Sequence, residues 1–276
     1  MDGSAVDRSW PVGPAEILVV TTSTGRRDLT LLAAAAIDLA IDWVVMGPAD
    51  VTVPPGLRHV VANTRGYATS RNAALGLAIS EGRRRVLFFD DDQVPVAGWW
   101  AAHRAYEAAH PDVTVLLGRV LAVALEATDV PAEEIRPVLT LRAGEFSGHV
   151  YSGNTMIDVD FVQRHGLRFD IALDDLGGED TAFFAAVRRA GGTVHVVPGA
   201  LAVEIEPADR LTLSARFRSG REMARRRRAL GLPYWRGPLT RTKATLKAMA
   251  FGVRGLVAAD ARLLSRAAFQ AGLATG

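Results

Sequence analysis

The chain has 276 residues, 49% of them hydrophobic and 22% charged, which is enough to bury a sizeable core and excludes wholesale disorder. It has no cysteine, which excludes disulfides, thiolate metal sites and a cysteine nucleophile and fits a reducing compartment. The net charge of +2 conceals a split: residues 1–209 carry 17 Arg/Lys against 28 Asp/Glu (−11), and residues 210–276 carry 15 against 2 (+13), so an acidic body and a basic tail that meets something anionic are expected.

Residues 1–14 are polar, without the apolar run of a secretory signal, and read as a flexible N-terminus. No stretch of about 18 apolar residues is free of charge, so no membrane-spanning helix is expected. Residues 16–22 read as a first strand, followed by a polar turn and a helix over 28–40. Residues 42–46 are a second strand, ended by Gly47-Pro48, and 57–62 a third. Residues 67–79 read as helix, and 85–89 as a fourth, buried strand. Strands alternating with helices over this half predict a mostly parallel sheet.

Residues 98–110 then read as helix and 113–123 as strand, and 126–148 as a loop with a short helix. A strand over 150–157 is interrupted by Gly153-Asn154, and a short helix spans 159–165. A Gly- and acid-rich loop covers 173–180, and 181–190 is a helix ended by Gly191-Gly192. Residues 193–198 and 201–205 are short strands. From residue 211 the chain reads as helices, broken at 231–238.

Two acidic clusters carry the chemistry. Asp90-Asp91-Asp92 directly follows the fourth strand, at the carboxyl edge where open α/β sheets bind ligands. Carboxylates crowded there repel one another unless a cation or a donor network holds them. A hard divalent metal carrying substrate phosphates is one solution, and a solvated turn is the other. The second cluster, Asp174-Asp175-Leu176-Gly177-Gly178-Glu179-Asp180, precedes a helix. A carboxylate at a helix start is held by free amides and can serve as a general base, or it is an ordinary N-cap.

In order along the chain come Thr21-Thr22-Ser23-Thr24-Gly25-Arg26, Thr69-Ser70-Arg71-Asn72, Phe88-Phe89-Asp90-Asp91-Asp92 and Leu176-Gly177-Gly178-Glu179-Asp180. This set resembles the nucleotide-sugar glycosyltransferases of the GT-A fold, specifically glycosyltransferase family 2, over about residues 15–220. The resemblance implies inverting transfer of a sugar from a nucleoside diphosphate to a glycan or lipid-linked acceptor. It implies a divalent cofactor, Mn or Mg. Asp90 and Asp92 match the outer members of the Asp-any-Asp motif, the first on the ribose side and the last on the metal, with Asp91 between them in the donor site. Thr22 and Arg26 match the nucleotide-binding strand end, and Arg71 a residue near the nucleotide. Asp180 matches the base, with Glu179 beside it. Asn154, after Gly153, matches a segment lining the donor-sugar pocket.

The chain departs from the family pattern in two places. After the second strand the nearby carboxylate for a nucleobase contact is Asp50. Where relatives place a metal-binding His after the last strand, this chain has Ala202-Val203-Glu204-Ile205-Glu206-Pro207. Glu204 is then either a metal ligand or a surface carboxylate pairing with Arg210.

Other features have competing readings. Trp99-Trp100 is an acceptor wall or a pair of core anchors. His195 reads as structural. Arg216-Phe217-Arg218 falls where the resemblance places basic groups near the diphosphate or acceptor, or is the solvated face of a basic helix. Arg225-Arg226-Arg227-Arg228 lacks interleaved aromatics and follows an acidic body, so no nucleic acid partner is expected. Residues 246–269, apolar with spaced cations, suit an interfacial helix on an anionic membrane or a helix packed on the body.

The expected architecture is α/β: a flexible 1–14, a GT-A catalytic domain over 15–210 and a basic helical extension over 211–276. The expected setting is cytoplasmic, with peripheral attachment to the inner membrane face left open. A nucleotidyltransferase acting on sugar phosphates is an alternative, but residues 21–27 hold one Gly and no Lys, unlike a Gly-rich phosphate loop. A noncatalytic scaffold of the same fold is the second, and would be expected to lose the acidic pairs.

Overall fold

The computed structural model describes residues 16–25, 27–62, 66–134, 143–174, 177–229 and 238–276. The N-terminal segment 1–14 and most of the break at 231–238 lie outside the described residues.

The first half is a parallel α/β unit: β1 (Ile17–Thr22), α1 (Thr30–Asp38), β2 (Trp43–Gly47), β3 (Arg58–Val61), α2 (Tyr67–Ser80) and β4 (Arg85–Phe88). Strand β1 lies between β2 and β4, with Val20 in register with both Val44 and Phe88. The strands are apolar on both faces because both faces are covered. Leu18 and Val20 join Val44, Phe88 and the α2 residues Leu75 and Ala78 on one face. Ile17 and Val19 join Val45, Leu87, Phe89 and the α1 residue Leu32 on the other. This alternation of successive residues is the strand period of two.

The second half adds β5 (Gln93–Pro95), α3 (Trp99–Ala109), β6 (Val115–Val123), β7 (Gly144–Glu145), β8 (Thr155–Asp158), α4 (Val159–Arg164), α5 (Glu179–Arg189) and β9 (Val194–Ile205). The sheet order is β3-β2-β1-β4-β8-β6-β9-β5, with β7 also on β9. The pairings of β8 with β4 and β6, and of β5 and β7 with β9, are antiparallel. The sheet as a whole is therefore mixed: its first half has the expected parallel run, and in the second half β6 and β9 also pair in parallel. Neither β5 nor β7 is expected from sequence, because each is too short to show a period.

The two short strands expected over 193–205 are one strand, β9, which bulges where it faces Leu117 and Arg119 of β6. The Arg119 guanidinium holds the bulge by donating from Nε to the Pro198 carbonyl at 2.7 Å.

The C-terminal extension is helical as expected: α6 (Leu213–Ala229), α7 (Pro238–Ala258) and α8 (Ala261–Thr275). Helices α6 and α8 pack at backbone distance, because a Cβ on Gly220 would strike the Phe269 carbonyl and one on Gly272 the Phe217 carbonyl. The extension is tied to the body through Glu134, which accepts two hydrogen bonds from the Arg266 guanidinium, both 2.8 Å. Arg216 on α6 donates to the Glu134 carbonyl at 3.3 Å and lies over the Phe269 ring.

Candidate active site

The carboxyl edge of β1 and β4 gathers the first group of polar side chains. Phe89, just before the Asp triplet, is fixed edge-on against Trp43 and Trp99, with ring centroids 5.2 and 5.1 Å away. The Trp43 indole donates to Thr21 Oγ1 at 2.9 Å, which ties this aromatic cluster to β1. Trp99 is therefore a core anchor at 1% exposure, and the acceptor-wall reading does not hold for it.

From that base the turn after β1 meets the triplet. Buried Ser23 donates from Oγ to Asp91 Oδ2 at 2.8 Å. Burial pushes the Asp91 carboxyl up; the Ser23 hydrogen bond opposes this, Asp92 adds to it and Arg27 opposes it. Asp92 faces Arg27 at 3.6 Å in a half-exposed pair. Thr22 ends β1 half-buried beside this group. Asp50 is exposed on the turn after β2, and Arg26 lies outside the described residues.

Asp90 points elsewhere. Gln93 on β5 is buried and places its Nε2 3.4 Å from Asp90 Oδ2 and 3.3 Å from Glu204 Oε2. One amide nitrogen, with two hydrogens, thus serves two carboxylates. Glu204 stands opposite Gln93 in the β5–β9 register. Gly153 passes against this group, where a Cβ would strike Asp90 Oδ2.

Arg71 organises a third group. It lies one turn into α2 and is 3.2 Å from Asp180 Oδ1 and 2.5 Å from Glu179 Oε1 at the start of α5. Burial pulls the guanidinium pKa down, but the charges of Asp180, Asp90 and Glu179 outweigh it, and the net direction is up. Asp180 Oδ2 also accepts from the Ser152 amide at 3.2 Å.

The geometry rests on the residues around Arg71. Asp174 caps α2 from across the chain, accepting from the amides of Ala68 at 2.5 Å and Thr69 at 3.2 Å and from Thr69 Oγ1 at 2.5 Å. A Cβ on Gly66 would strike the Asp174 carboxyl. Asn72 exchanges two hydrogen bonds with the Phe169 backbone, at 2.8 and 2.9 Å. The 69–72 segment is thus a clamp that holds the approach to α5, with Arg71 its charged tip.

Several expectations resolve differently. Asn154 is fully buried at φ +58°, and its side chain is used inside the protein. Its Oδ1 accepts from the Trp99 indole at 2.7 Å and contacts His103 Nε2 at 3.0 Å, and its Nδ2 donates to the carbonyls of Arg119 and Ala200, both 2.9 Å. It braces the floor of the site and does not line a sugar pocket. Glu204 is not the surface partner of Arg210, which instead lies 3.7 Å from Glu206. His195 meets Tyr106 at 3.2 Å, as a structural residue would. Four site residues escape the sequence reading: Ser23, Gln93, Ser152 and Asp174. Of these, Ser23 and Asp174 lie inside quoted motifs without an assigned role and Gln93 adjoins one, whereas Ser152 acts through its backbone and leaves no signal.

The oxygen donors of Asp90, Asp91, Asp92 and Glu204 are those a hard cation takes. Asp92 and Glu204, expected to share a metal, belong to different groups: Asp92 faces Arg27, and Glu204 faces Gln93. Among the described residues no three His, Asp or Glu converge into a ready ligand set. Asp92 fits best, because its half-exposed partner is long enough to exchange for a cation. A groove of about 600 Å³ lined by Leu121, Val123, Pro131 and Arg262 shares no residue with any of these three groups.

No protein-family profile matches the chain. It is 30% identical over 155 residues to the succinoglycan biosynthesis protein ExoM of Rhizobium meliloti (strain 1021), covering half of this chain and 46% of ExoM. It superposes on the crystal structure of S. aureus TarS with a TM-score of 0.54 and 16% identity, over 80% of this chain and 40% of TarS. On the structure of TarS 1–349 in complex with UDP-GlcNAc the TM-score is 0.55 at 14% identity, over 93% of this chain and 90% of that one. The chain thus spans less than half the length of ExoM and of the longer TarS structure, and it has the TarS fold, the GT-A architecture expected from its motifs.

Proposed function

We propose that the chain is an inverting glycosyltransferase that moves a sugar from a nucleoside-diphosphate donor to a hydroxyl of a glycan or lipid-linked acceptor. The observation that carries this reading is the pairing of Arg71 with Glu179 and Asp180, within electrostatic reach of Asp90 at the carboxyl edge of β4. They come from three elements, the neighbouring α2 and β4 and the distant α5, at the edge where open α/β sheets bind ligands. The UDP-GlcNAc complex of TarS supports a nucleotide-sugar donor, and the biosynthetic role in the ExoM name supports a glycan acceptor.

In this reading the β1 turn, with Thr22 and Ser23, and the triplet cradle the nucleotide. Asp180 accepts the proton of the acceptor hydroxyl, whose oxygen bonds to the anomeric carbon from the face opposite the leaving group. The bond from that carbon to the diphosphate oxygen breaks, and the nucleoside diphosphate leaves with the electron pair. Arg71 and the Ser152 amide hold Asp180 in line, and Glu179 is braced by the same guanidinium. Mn or Mg held by Asp92 would offset the diphosphate charge. The setting is cytoplasmic.

The test pairs donor binding with transfer. Calorimetry against a panel of nucleotide sugars, with Mn or Mg present, identifies the donor. Asp180→Asn is expected to lower transfer at least about a hundredfold, the scale of lost general-base catalysis, and to leave donor affinity within a few-fold. Transfer at the wild-type rate in that variant, or no nucleotide sugar bound by the wild type, refutes the proposal.

A further inference from the structure

Helix α7 has an unusual outer face. Leu246, Met249, Val253, Leu256 and Val257 are 60%, 62%, 63%, 74% and 84% exposed. Their spacing of three, four, three and one residues puts all five on one side of a helix. The opposite side is committed: Ala244 is buried, and Gly255 sits so close to α8 that a Cβ would lie 2.9 Å from the Leu264 side chain. The exposed stripe is thus a true outer surface of the tail, and none of the described residues covers it.

Charge tells what the stripe faces. Lys243, Lys247 and Arg254 are exposed and recur at spacings of four and seven, so they form one row along the edge of the stripe. Helix α7 contains no Asp or Glu, and the whole of residues 210–276 contains two. An apolar stripe bordered by a row of cations is the pattern of a helix lying in a membrane interface. No described helix is long and apolar enough to cross a membrane, so the contact is with the surface. A second copy of the chain fits this face less well. It would bring a second cation row to the same contact, with no α7 carboxylate to answer it.

We propose that α7 docks flat on an anionic phospholipid surface. The five apolar side chains enter the headgroup and acyl boundary, and Lys243, Lys247 and Arg254 meet lipid phosphates. This inference is independent of the reaction assigned above, because it uses neither the carboxylates nor Arg71. It also moves the contact away from the Arg225–Arg228 run, which lies on α6, where Arg226 approaches Gly177 of the acidic loop.

The experiment is cosedimentation of the full chain with vesicles of mixed phosphatidylglycerol and phosphatidylcholine, or of phosphatidylcholine alone. Two variants are compared: Leu256→Asp/Val257→Asp in the stripe, and Lys243→Gln/Lys247→Gln/Arg254→Gln in the row. All the altered residues are exposed, and circular dichroism checks that both variants stay folded. The wild type is expected to pellet with anionic vesicles and to be released as salt screens the attraction. Each cation near such a surface contributes about fivefold, so the row variant should lose on the order of a hundredfold in partition. The stripe variant should lose at least about tenfold. Absence of binding at low salt, equal binding to neutral vesicles, or binding unchanged in both variants overturns the proposal. So does a wild-type dimer that the stripe variant dissolves while neither protein binds lipid, which would assign the face to a second copy.

Discussion

Replacing Arg71 with Met tests whether one buried cation holds the site together. The Arg71 side chain is 11% exposed, and its partners Glu179 and Asp180 are 8% and 16% exposed. Such groups belong to the buried class of ion pair, not to the surface class worth about 0–1 kcal/mol. Removing one partner of a buried pair costs about 3–5 kcal/mol, because the other charge is left uncompensated. Here the low end is expected, about 3 kcal/mol, since Asp180 keeps the Ser152 amide and the Asp174 cap on α2 is untouched.

Urea unfolding followed by tryptophan fluorescence measures the loss. Arg71→Lys restores the charge without the planar fork and should recover only part of it. A loss below about 1 kcal/mol would mean that Arg71 does not carry the cluster.

Three further outcomes are expected. Asp92→Asn should lower turnover about a hundredfold, the scale of other lost electrostatic contacts, and excess chelator should do the same to the wild type; full activity in chelator contradicts the role given to Asp92. Gly153→Ala should push Asp90 off its position beside Gln93 and cost up to about a hundredfold in turnover with little change in urea midpoint, whereas normal turnover would show that Asp90 placement is unimportant. Burial lowers the pKa of His103 from 6.5 to about 4, so the folded state excludes a proton the unfolded chain accepts. Stability present above pH 6.5 should be lost as pH falls toward 4, by up to roughly 3 kcal/mol, and His103→Gln should flatten that part of the profile.

What the sequence discloses is what depends on local pattern. The apolar runs of β1, β2 and β4 announce buried strands, and chain order alone puts Asp90–Asp92 at a carboxyl edge. The Gly-Gly-Glu-Asp run likewise announces the start of α5, two residues before the expected position. Long-range pairing is not local and stays hidden. Gln93 looks like a turn residue until β9 brings Glu204 opposite it. Asn154 follows a glycine in a plausible pocket motif, yet Gly118 leaves it room to turn inward to Trp99 and His103. Asp174 reads as one more acid in an acidic loop, although it caps a helix that begins more than 100 residues earlier. In each case burial and partner decide the role, and neither is written in neighbouring residues.

The tail shows why point substitutions, and not truncation, must separate its roles. Deleting α7 and α8 would remove the membrane stripe, but it would also strip α6 of the helix that meets it at Gly220. It would take Arg266 from Glu134, whose side chain is only 9% exposed. It would free Arg216 from the Phe269 ring, and Arg216 reaches the body at the Glu134 carbonyl. Since α6 also carries Arg226 to Gly177, next to the start of α5, damage at the far end of the tail has a path to Glu179 and Asp180. A truncated chain that lost both vesicle binding and transfer would thus not distinguish a lost membrane contact from a disturbed active site. Changing Leu256 and Val257, which point away from every described element, leaves that path intact. Lost vesicle binding with transfer to a soluble acceptor preserved would then assign membrane contact to the outer face of α7 and leave transfer with the body.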